Sequence, residues 1–229
     1  MKAKSLFLSV LLAGCAGGTS ADLEQIQFML DHGQFAAAVT QAQAVVNASP
    51  TNLEAQFLLA SAQIGDSMLG THSRCKATDT GYIGLLACLQ DPKTATDPGD
   101  FGTFLRIAPD TTAKLSILQD ATNGLIALTG TQKDPGRLRD VYLQLWMARL
   151  FEIGSVTTQL GACTASFDPN ALSADELQRF KDNLANVNSD GANAGLPSSL
   201  GLNDRITSIS NDLNETTAPL FFQATFGGC

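Results

Sequence analysis

Histidine is almost missing from this chain: His32 and His72 are the two in 229 residues. His32 reads as a solvated residue of a helix turn, and His72 has no i+4 partner, although Cys75 stands near it. The sequence also holds no Gly-x-Ser-x-Gly, His-Glu-x-x-His or P-loop pattern, so it offers no nucleophile paired with a base. Charge is scarce as well: 16% of residues are Asp, Glu, Lys or Arg, against about 25% in ordinary soluble domains. The charge present is lopsided, with 22 acids against 14 cations and a net of −8, which excludes nucleic acid as a partner because phosphate binding needs clustered Lys and Arg. There is no Cys-x-x-Cys and no Cys-x-x-Cys-His, so dithiol redox motifs, zinc knuckles and c-type haem attachment are excluded. No stretch alternates apolar and polar residues convincingly enough to predict a strand. The reading is an all-α chain without metal or cofactor, and not an enzyme.

What is present begins at the N-terminus. Lys2 and Lys4 precede an apolar run from Leu6 to Ala13, too short for a permanent transmembrane helix. The run ends in Leu12-Ala13-Gly14-Cys15, which resembles the lipobox of bacterial lipoproteins. That resemblance implies a signal peptide over residues 1–14, cleavage before Cys15, and lipidation of Cys15 with palmitate-type chains. Each buried methylene of such a chain contributes about 0.8 kcal/mol to anchoring. Ala16 in place of Asp implies sorting to the outer membrane, facing the periplasm. Residues 15–20, with Gly17 and Gly18, read as a lipidated tether. Loss of Lys2 and Lys4 leaves 12 cations against 22 acids, a mature charge of −10. No later segment reaches the about 18 continuous apolar residues that a bilayer span requires.

Four further cysteines, Cys75, Cys88, Cys163 and Cys229, form an even set in an exported chain and read as two disulfides. Three pairings are open. The favoured one joins Cys75 to Cys88 across a local loop and Cys163 to the terminal Cys229. Arg74 and Lys76 would lower the thiol pKa of a free Cys75, which is the competing reading at that position.

Residues 21–68 have helical periodicity with an internal order. Asp31-His32-Gly33-Gln34-Phe35 leads through Ala38, Ala42 and Val45 to Pro50, and a second unit starts at Leu53 with Ala55, Leu59 and Ala60. This resembles the tetratricopeptide repeat, whose period is about 34 residues. By that resemblance Gly33 and Phe35 lie at the turn between antiparallel helices. Ala38 allows close helix approach, Pro50 ends the second helix, Ala55, Leu59 and Ala60 fit the first helix of the next unit, and Gly65-Asp66 makes its turn. Gln56 and Gln63 stand where the family has aromatics. Stacked repeats need about three units or other covering helices, so the rest of the chain is expected to close the open end.

Residues 69–109 read as a loop-rich connection with one short helix from Tyr82 to Leu89. Residues 110–229 read as a C-terminal helical region packed with the first part as one body. Asp110 or Thr111 caps a helix with Leu115, Leu118, Ala121, Leu125 and Leu128 on one face, ended by Gly130. Asp134-Pro135 opens the longest helix, to about residue 160, apolar almost all round. Ser173 and Glu176 form a capping box before Leu177, Phe180, Leu184 and Val187. Asn203-Asp204 opens a last helix with Ile206, Ile209 and Leu213. Asn186, Asn188, Asp190 and Gly191 match part of a calcium loop, but Pro197 stands where the bidentate Glu belongs, so the segment reads as a polar turn.

The function expected is that of a lipid-anchored, non-catalytic adaptor. It would bind envelope proteins in the assembly of an outer-membrane, secretion or pilus complex, alone or as a structural subunit. The alternative is a periplasm-facing small-molecule binder or enzyme with its site in the C-terminal region, near Tyr142 and Trp146.

Overall fold

A computed structural model of the chain describes residues 20–68, 109, 111–161, 165–196, 213–214 and 216–226. Among these residues there are seven α-helices and no strand. They are α1 (Ser20–Asp31), α2 (Phe35–Ala48), α3 (Leu53–Met68), α4 (Thr112–Thr131), α5 (Pro135–Gln159), α6 (Ala174–Asn193) and α7 (Ala218–Phe226). Cys15, Cys75, Cys88, Cys163 and Cys229 all lie outside the described residues, as do His72 and the helices expected at 82–89 and from 203.

The helix ends follow local chemistry. Gly33, at φ 68°, takes the left-handed conformation that ends α1, and the Gln34 amide donates to the Met29 carbonyl at 2.8 Å. Pro50 lies between α2 and α3, and Asn52 Oδ1 accepts from the Ala55 amide to cap α3. Thr111, not Asp110, caps α4 through the Lys114 amide. The helix passes Gly130 and stops at Thr131, because nothing at Gly130 demands a left-handed turn. Ser173 and Glu176 make the expected reciprocal capping box on α6. The segment 218–226, which carried no helical expectation, forms α7 with Pro219 in its first turn, where a missing N–H does no harm.

Each helix from α1 to α6 packs on the next in sequence, and α1 also meets α3, as α3 meets α5. Two apolar cores result. The first is built from α1 to α4 and the inner face of α5, with Ile26, Leu30, Phe35, Ala38, Ala42, Ala55, Ile64, Leu118, Leu125, Leu145 and Phe151 buried. The second gathers Leu150, Ile153 and Val156 of α5 and Leu160 just beyond its end with Leu177, Phe180, Leu184 and Val187 of α6 and Phe222 of α7. Phe180 and Phe222 meet tilted, 5.8 Å between ring centres. Helix α5 belongs to both cores, and Trp146 touches each.

Two glycines depart from their expected roles. Gly65 makes no turn; it is buried inside α3, which runs on to Met68. A methyl group there would lie 2.3 Å from Phe35 Cδ1, so the glycine is the seat for that ring. Gly191 is neither a calcium-loop nor a polar-turn residue, since Asn186 to Asn193 continue α6. A methyl at Gly191 would stand 3.0 Å from Trp146 Cδ1. In both places a neighbouring aromatic needs the volume of a missing side chain, which outweighs the about 1 kcal/mol by which glycine weakens a helix.

Candidate functional site

The motif residues sit where helices meet. Phe35 opens α2 fully buried, Ala38, Ala55 and Ala60 are buried on facing helices, and Leu59 is half-buried against the same core. Tyr142 and Trp146 are half-buried and pack on the first core. His32 is exposed beyond α1, its ring stacked on Phe28 at 3.9 Å and its Nδ1 2.7 Å from the Phe28 carbonyl. Beside it, Phe28 is 56% exposed.

Helix α5 is not apolar almost all round, contrary to its sequence pattern. Gln144, Arg149, Glu152 and Ser155 are buried on it. Gln144 exchanges hydrogen bonds with Ser61 of α3 at 2.7 and 2.9 Å. Further along, Arg149 Nε donates to Asp190 Oδ2 at 2.6 Å, and its Nη1 donates to Asn183 Oδ1 at 2.9 Å. Asn183 Nδ2 in turn donates to Glu152 Oε2 at 2.8 Å. Glu152 also accepts two bonds from Arg179, at 2.6 and 2.9 Å, and one from Thr122 of α4. The result is a charge-balanced layer, two guanidiniums and two carboxylates bridged by one amide, that ties α4, α5 and α6. Paired buried charges need such full satisfaction to persist. Burial pushes the Asp190 carboxyl above its ordinary 3.8, with the Arg149 hydrogen bond and charge pulling it back only in part. A 2.6 Å ion pair and a raised pKa coexist here because the loss of water is the larger effect.

Of the layer residues the sequence singles out Asp190 alone, and there as part of a polar turn rather than as the partner of Arg149. Spacing offered one cue: Arg149, Glu152 and Ser155 interrupt an otherwise apolar stripe at steps of three. Nothing local gives their partners, which lie 27 to 41 positions away.

Two surface features accompany the layer. A crevice of about 20 Å³, bordered by Glu152, Ser155, Gln159 and Arg179, has room for roughly one water. A wider hollow, of about 570 Å³, lies between α6 and the start of α7, bordered by Leu177, Gln178, Lys181, Asn214 and Thr216. Neither sets a nucleophile against a base. Among the described residues no three His, Cys, Asp or Glu side chains converge as a metal site, and no helix is long and apolar enough to cross a membrane. No family model, curated protein or solved structure matches the chain.

Proposed function

We propose that the protein is a lipid-anchored, non-catalytic adaptor of the bacterial envelope, held at the outer membrane through Cys15 and binding protein partners through tetratricopeptide-like helical hairpins. The observation that carries the reading is the packing order. α1 packs with α2, α3 with α4 and α5 with α6, and of the leading helices α1 meets α3 and α3 meets α5. Stacked hairpins of that kind generate extended surfaces suited to peptides and proteins. Gly33 at the first turn, Phe35, Ala38, Ala55 and Ala60 in the seam, and Pro50 between units support the same reading. α7 then serves as the cover of the last hairpin, through Ala218 and Phe222. Disulfides Cys75–Cys88 and Cys163–Cys229 belong to the proposal, each adding about 2–4 kcal/mol on the chain-entropy account.

Metabolic labelling with palmitate tests the anchor: the wild type incorporates label and Cys15→Ser does not, whereas equal labelling refutes lipidation. Crosslinking in intact envelopes followed by purification tests the adaptor role. A stable envelope protein partner is expected; a monomer that instead turns over or binds a small molecule refutes it. Peptide mapping without reductant reads the two disulfides.

A further inference from the structure

Resting on the adaptor reading, we propose which face it uses and what it takes: the outer face of α1 docks a partner-protein segment carrying Lys or Arg beside aliphatic side chains. Residues 20–68 contain Asp22, Glu24, Asp31, Glu54 and Asp66 and not one Lys or Arg. All five acids lie on α1 and α3, and α2 has no charged residue. Across residues 111–196 the balance is close, nine acids to seven cations; Arg149 and Arg179 are engaged by Asp190 and Glu152, and Arg137 reaches back to Glu54 of α3 at 2.7 Å. With Glu54 matched by Arg137, the negative potential gathers on α1, which carries Asp22, Glu24 and Asp31.

On that helix Glu24, Phe28 and Asp31 follow at steps of four and three, one exposed stripe of α1. Among the described residues no other helix covers the stripe: α1 buries Ile26 and Leu30 against α2 and α3 on its opposite side. Phe28 has His32 as its ring neighbour, and Asp31 accepts from Gln27 within the same helix. An exposed aromatic between carboxylates matches a segment that brings cationic heads and apolar stems together, since Lys and Arg offer both. A second copy of this chain is a poor occupant, because acids would face acids, and an anionic membrane surface is disfavoured for the same reason.

The test uses the mature full-length chain and two synthetic helical peptides of equal length, one of Lys and Leu and one of Glu and Leu, followed by fluorescence anisotropy. The Lys/Leu peptide should bind about tenfold or more tightly than the Glu/Leu peptide. Phe28→Ser and the pair Glu24→Lys with Asp31→Lys should each weaken it about fivefold or more, while Ile126→Ser, an exposed apolar site on α4, should not. Unchanged thermal unfolding is expected for all variants, as the side chains are exposed. A photo-crosslinking residue at position 28 or 126 reads the same contact without a charge change, and should capture the Lys/Leu peptide at 28 alone. Equal binding of both peptides, or variants that bind as the wild type does, overturns the docking face. If envelope partners are then still captured through other positions, the adaptor reading survives that failure. If no envelope protein is captured from any position, the adaptor reading falls as well.

Discussion

The first core joins α1, α2 and α3 through small residues packed around Phe35, while the second is bordered by an ionic layer. Between α1, α2 and α3 the seam is Ala38, Ala42, Ala55, Ala60 and Ala62 around Phe35, with polar contacts left mostly to the rim, such as Gln41 to Gln25 at 3.0 Å. Between α4, α5 and α6 the contacts include Arg149–Asp190 and Arg179–Glu152, bridged by Asn183. The two solutions differ in what they tolerate. An alanine seam permits close approach but leaves little room for added volume. An ionic layer fixes the relative rotation of three helices, but any unpaired member becomes a buried charge without a partner.

The largest break expected is at Glu152. Glu152→Ala leaves Arg179, Asn183 and Thr122 without their common acceptor and should lower stability by about 3–5 kcal/mol in urea unfolding. Loss of less than about 1 kcal/mol would mean the layer contributes no more than an exposed ion pair. Gly65→Ala probes the other core. Its methyl has to displace the Phe35 ring, a group with no room to move, so a loss of about 1–3 kcal/mol is expected. Phe35→Leu in the same chain should recover part of that loss, a non-additivity that independent sites would not show.

Asp190 sharpens the comparison through pH. Its carboxyl is raised by burial, so the folded protein holds that proton more tightly than the unfolded chain does. The stabilisation from this group is therefore complete below 3.8 and drains away as pH rises through its higher native value. The stability of wild type relative to Asp190→Asn should fall over that rise; a constant difference would show that the carboxyl is not raised. The smallest effect is at the helix cap. Ser173→Ala removes the oxygen that receives the Glu176 amide and should cost about 1 kcal/mol, visible as a lower melting temperature without a change of fold.

Much of the helical framework is legible in the sequence. Apolar residues at steps of three and four place α4 and α6, and Ser173 with Glu176 and Thr111 mark their starts. Gly33 stops α1 as a left-handed residue should. What misleads is glycine and polar residues read by local rules. Gly65 and Gly191 look like turn punctuation because glycine usually serves turns, yet each lies within the last turn of a helix, beneath a ring from another helix. Arg149 and Glu152 look like breaks in an apolar stripe, and only their distant partners explain them.

Composition, periodicity and capping by themselves determined that the described chain is helical and where several helices begin, because those signals act within a few residues. The amino-acid order also supplies the Leu-Ala-Gly-Cys signature at Cys15 and the one-sided charge of residues 20–68. Tertiary structure decided the rest: which helix neighbours which, which glycine seats a ring, and which charges are buried in pairs. Those outcomes depend on volume and on the exclusion of water between segments far apart in sequence, and no local pattern encodes either.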